Sequence, residues 1–142
     1  TLISSAVENL YRGFVKNENI YMLYKNGLSS YPFEWANYFR GLDWLEKNIQ
    51  DNAIILTRDS NLCFLITGNK SVTVEGSQTI NDVIRLINDY NVDYVIANPY
   101  YKETNEKFLF LTIQENSNKF FQLYGSNDDS LRIFKINKEI KI

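Results

Sequence analysis

The groups best placed to do chemistry in this chain are Arg58 and Asp59 and, further along, Asn98, Tyr100 and Tyr101. Each set follows a short apolar run, 53–57 and 93–97, that reads as a β-strand bounded by polar residues. If the two strands are neighbours in a parallel sheet, these side chains share its carboxyl edge, where α/β proteins bind ligands. A small anionic or sugar ligand is the chemistry such a set would serve, with the guanidinium taking the negative charge and the phenols stacking on a ring. Asp59 and Asn98 also have local explanations, the first as a helix cap and the second as a turn residue before Pro99. Glu75 falls near the end of another strand.

Other chemistries find less. Nucleophilic catalysis needs a base beside the nucleophile, and Cys63 lies in the apolar run Leu62-Cys-Phe-Leu-Ile66 of a chain with no His. It reads as a small buried residue. A single Cys also excludes an internal disulfide and a thiolate zinc site. No closely spaced glycines follow a strand, so neither a phosphate-binding loop nor a dinucleotide fingerprint is present. Asp128 and Asp129 are adjacent rather than one residue apart, in a predicted hairpin turn where they point different ways, so no metal is expected there. Asn69-Lys70-Ser71 matches a glycosylation acceptor pattern but is read as chance in an Asn-rich chain. No cofactor is expected.

Composition sets the frame. The 142 residues are 44% hydrophobic and 23% charged, as in a globular domain with a real core. A net charge of −2 supplies no basic field for nucleic acid. No apolar run reaches the roughly 20 residues that span a bilayer. Thr1, with no initiator Met, is read as an internal or processed start, with membrane segments and chemistry expected upstream.

The chain reads as one domain, with a helical lead-in over 1–30 and an α/β core over 31–142. Ile3, Ala6, Val7, Leu10 and Phe14 recur at helical spacing. Pro32 opens a second helix, with Trp35, Tyr38, Phe39, Leu42, Leu45 and Ile49 on one face and Asn37, Arg40, Asp43, Glu46 and Lys47 mostly opposite. Trp44 is offset from that stripe and is expected to touch a neighbouring domain.

After the strand at 53–57, Asp59 caps a short helix that Gly68 ends in a left-handed turn. A strand at 71–74 follows. Thr79 and Asp82 then form a capping box opening a helix with Ile80, Val83, Ile84, Ile87 and Tyr90 inside. The strand at 93–97 leads to a helix over about 108–115. A hairpin closes the chain, pairing 120–124 with 131–136. Alternating strands and helices predict an α/β three-layer sandwich: three parallel strands plus a C-terminal antiparallel hairpin.

Several of these pieces, taken in order, resemble the extracytoplasmic C-terminal domain of polyprenyl-phosphate-dependent membrane glycosyltransferases, the protein O-mannosyltransferase-like and aminoarabinose-transferase-like group. They are Pro32-x-x-Trp35, Gly41-Leu-Asp-Trp-Leu-Glu-Lys-Asn48, Ala53-Ile-Ile-Leu-Thr-Arg58, Phe64-Leu-Ile-Thr-Gly68 and Val92-Asp-Tyr-Val-Ile96, then a Phe-rich strand and a hairpin. The resemblance covers roughly residues 32–136. It implies a multi-span parent that takes sugar from a lipid phosphate on the outer face of the membrane. The catalytic acidic residues of that family lie in an early loop that nothing here matches, so no catalytic residue is assigned.

The resemblance therefore implies a non-catalytic accessory domain on the extracytoplasmic face. Its partners would be the transmembrane portion of its own parent and, at Arg58, Asp59, Asn98, Tyr100 and Tyr101, a glycan or polyprenyl-phosphate head group. The alternative is an independent small-ligand or sugar-binding module with no membrane parent. A third reading is a soluble enzyme whose catalytic groups are carboxylates or Tyr alone.

Overall fold

Apolar residues at three- and four-residue steps make the segment after Pro32 a helix, and in the computed structural model α1 runs Phe33–Asn48. The structure describes residues 33–98 and 106–139. The expectations for the lead-in over 1–30, for the side chain of Trp35, and for Tyr100 and Tyr101 lie outside the described residues. Tyr38, Phe39, Leu42 and Leu45 are buried along one side of α1. Gly41 shares that side, and a Cβ there would stand 2.2 Å from Leu131 Cδ2, so the helix backbone itself rests on the hairpin.

Local signals set the next elements. β1 (Ile54–Thr57) leads to Asp59, whose Oδ1 accepts the Leu62 N–H at 3.0 Å and starts α2 (Ser60–Thr67). Gly68, at φ 70°, ends it in the left-handed conformation that glycine adopts at least cost. β2 (Lys70–Thr73) precedes α3 (Ile80–Asp89). Thr79 Oγ1 accepts the Asp82 N–H at 3.1 Å, while Asp82 Oδ2 accepts from the Thr79 hydroxyl at 2.9 Å and from the Gln78 N–H at 3.0 Å. β3 (Tyr94–Ala97), α4 (Lys107–Glu115) and a 3₁₀ turn (Ser117–Lys119) follow. The hairpin of β4 (Phe120–Gly125) and β5 (Arg132–Ile136) completes the described chain.

The five strands form one mixed sheet in the order β2-β1-β3-β5-β4. β1 runs parallel to both β2 and β3, while β5 is antiparallel to β3 and to β4. Alternate strand residues feed two cores. Ile55, Tyr94, Ile96 and Ile133 pack under α1 and α2, whereas Leu56, Val95, Ala97 and Phe134 pack under α3 and α4. The fold is thus an α/β three-layer sandwich with three parallel strands and a closing antiparallel hairpin.

Three side chains depart from their expected faces. Asn37, expected on the outer side of α1, is only 4% exposed, because the hairpin turn packs against it. Tyr90, expected inside, is 44% exposed beneath the Lys70 ammonium, and the half-buried Leu86 packs on that core instead. Trp44, expected to face another domain, stacks at a tilt on Tyr124 of the chain's own hairpin, 5.5 Å between ring centres. Asn69, in the glycosylation triplet, is buried, which leaves no room for a glycan.

The candidate site at the carboxyl rim

Because β1 leads on to β2 at one side of the sheet while β3 leads on to β4 at the other, the connections leaving these two neighbours diverge, and the carboxyl ends of β1 and β3 flank a topological switch point. The register Ile55–Tyr94 and Leu56–Val95 carries the segment after Thr57 alongside the segment after Ala97. Arg58, Asp59 and Asn98 therefore share one rim, while Tyr100 and Tyr101 lie outside the described residues. Arg58 and Asp59 are half-buried and Asn98 is buried.

α1 supplies a wall of this rim. The Tyr38 hydroxyl lies 2.8 Å from Thr57 Oγ1 and donates to the Asp59 carbonyl at 3.2 Å. Burial, with the nearby Cys63, Asp59 and Glu106 adding to it, pushes the Tyr38 phenol well above its usual range despite the Thr57 hydrogen bond. Tyr38 is thus a neutral strut. Asp59 spends one carboxylate oxygen on the α2 cap, as its local reading predicts.

One electrostatic feature of the rim is a residue that sequence reasoning passed over. Glu106, directly before α4, is 3% exposed and accepts the Asn98 N–H through Oε2 at 3.1 Å. Burial pushes its carboxyl up to about 7, against the opposing pull of the Asn98 hydrogen bond and of the Arg58 charge. A buried carboxyl titrating near neutrality beside a guanidinium, at a sheet's switch point, is what functional sites recurrently contain. In the sequence it stood within Glu103-Thr-Asn-Glu-Lys107, a stretch that reads as a polar helix lead-in. The available signal was an acidic residue opening the helix that follows a carboxyl-edge strand.

The hairpin turn borders the same rim, since Arg132 pairs with Ala97. Asp128 accepts both Asn37 Nδ2 contacts, at 3.0 and 2.9 Å, the Ser126 hydroxyl at 2.6 Å and the Ser130 hydroxyl at 2.9 Å. Asp129 pairs instead with Arg132. The two carboxylates diverge as a turn requires, and among the described residues no three His, Cys, Asp or Glu could hold a metal ion. Cys63 is fully buried, and that burial raises its thiol to about 11, which leaves it unreactive.

An apolar groove of about 320 Å³ reaches this rim at Ala97 and Arg132 and runs beside Phe110, Ile113, Phe120 and Phe134 under α4. It falls at the small end of the size range of ligand pockets. Among the described residues no helix is long and apolar enough to cross a membrane. No protein-family model matches the chain, and no curated protein shows significant sequence similarity to it.

Proposed function

We propose that this chain is a non-catalytic accessory domain, on the extracytoplasmic face, of a polyprenyl-phosphate-dependent membrane glycosyltransferase, and that its carboxyl rim contacts the acceptor glycan or the head group of the lipid-linked donor. The observation that carries the ligand role is the meeting of Arg58 and Asn98 with the buried Glu106 at the junction of β1 and β3. Arg58 would engage a phosphate or another anionic group, and the polar backbone around Asn98 would take sugar hydroxyls. The groove under α4 offers apolar surface next to that polar rim, which suits a ligand joining a polar head to an apolar chain. The link to a glycosyltransferase rests on the ordered resemblance across residues 32–136.

Two measurements separate the parts of this reading. Saturation-transfer and amide-shift NMR with simple sugars and with a short isoprenyl phosphate should perturb Arg58 and Asn98, and Arg58→Ala should abolish the phosphate response. Silence across the panel, or responses confined to other surfaces, sinks the ligand role. The parental role predicts a run of long apolar segments encoded upstream of Thr1. A native gene whose product starts at this point removes the membrane parent.

A further inference from the structure

The exit of β3 is held by a side chain. The Asn98 N–H is accepted by the carboxyl of Glu106, across eight positions of sequence, in a pocket where Glu106 itself is 3% exposed. The charge of Arg58, at the exit of β1, favours the ionised carboxyl, and the charge of that carboxyl acts in turn on the Tyr38 phenol of α1. On its own element the adjoining Lys107 is exposed. We propose that Glu106 is a positioning residue that fixes the Asn98 backbone and the Arg58 side chain while ionised and loosens both when protonated, giving the rim two states selected by pH.

The physical basis is a balance between two effects on one buried group. Burial penalises the charge, while the Asn98 N–H and the Arg58 guanidinium favour it, and together they leave the carboxyl titrating near neutrality. A hydrogen bond to an ionised acceptor is roughly twice as strong as one to a neutral acceptor, so protonation weakens the hold on Asn98 and removes the charge that Arg58 faces. The Tyr38 phenol, raised by burial, stays neutral. The chain has no His, so no imidazole titrates across the same window.

This inference needs no ligand and stands apart from the glycosyltransferase reading. Its test is a pH series of amide NMR spectra of the whole chain, from about pH 5.5 to about pH 8.5, a window bracketing neutrality. The Asn98 amide and the Arg58 side-chain resonances should shift together in one step with a midpoint of about 7. Glu106→Gln should fold, keep a neutral acceptor and show neither step. Should that variant fail to fold, the carboxyl carbon of Glu106 in the unaltered chain reports the same midpoint. Flat Asn98 and Arg58 signals, a step that survives in Glu106→Gln, or a Glu106 midpoint in the ordinary carboxylate range would each overturn it. Flat signals in a chain that still responds to a sugar or phosphate would remove the switch and leave the ligand site. A titrating rim that meets no ligand would do the reverse.

Discussion

Two carboxylates stand on the same rim of this sheet and behave in opposite ways. Asp128, in the hairpin turn, is met by the Asn37 amide, two serine hydroxyls and the Ser130 N–H. Burial pushes its carboxyl up, yet the donors from Ser126 and Ser130 outweigh that and hold it below its usual value. Glu106, at the exit of β3, has the Asn98 N–H and the charge of Arg58, and burial wins. A carboxylate saturated with donors becomes a fixed part of a turn. One given fewer donors and more burial becomes responsive near neutral pH. The candidate site sits where satisfaction is partial.

The largest test removes the support that both regions share. Leu42, fully buried on α1, packs in one core with Tyr38 of the rim and Leu131 of the hairpin, so Leu42→Ala should lower stability by about 2–5 kcal/mol in denaturant unfolding. A near-neutral result would mean that α1 does not anchor the rim.

The second test uses pH, and the two carboxylates should act with opposite sign. Glu106 is raised in the fold from 4.5 to about 7. Its contribution is therefore complete below the unfolded value and lost as pH rises through the folded one. At about 1.4 kcal/mol per pH unit, this loss amounts to up to about 3 kcal/mol. Asp128 is lowered, so its contribution is present above the unfolded value of 3.8 and lost as pH falls through the folded one. Melting temperature should thus fall on both sides of a maximum in the mildly acidic range. Glu106→Gln should flatten the upper limb alone, and one unchanged by that variant would assign the titration to another group.

A third, smaller effect concerns the close approach of α1 to the hairpin. Gly41→Ala should cost about 1–3 kcal/mol by driving a methyl into Leu131. The better helix propensity of Ala offsets that by up to about 1 kcal/mol. An Ala variant as stable as the parent would show that the contact relaxes freely.

The smallest expected change is Asp128→Ala. It takes one acceptor from the buried Asn37 amide, which keeps Ser130 at 2.7 Å, so the cost at neutral pH should be about 1 kcal/mol. Its cost should shrink as pH falls through the folded carboxyl's value, where the charge is lost in any case. A cost that persists there would show that shape, not charge, holds the turn.

Much of the scaffold was legible in advance because it is written in short-range hydrogen bonds. Asp59 with Leu62, Thr79 with Asp82, and Gly68 after α2 act within four residues, so their patterns survive any tertiary context. The rim was half legible. Arg58, Asp59 and Asn98 followed from the rule that strands expose their carboxyl ends, whereas Glu106, Asn37 and Tyr38 did not. Their roles depend on what covers them. Asn37 reads as an outer-face residue until a turn from the far end of the chain closes over it.

The amino-acid order alone determined the elements, their capping, their sequence along the chain and the class of sheet they build, since periodicity and caps are decided by neighbours. Which strands lie side by side, which polar groups lose their water, and therefore which carboxyl stays ionised and which hesitates near neutrality were decided by the tertiary structure. Desolvation belongs to the assembled fold, and no residue carries it before the distant segments meet.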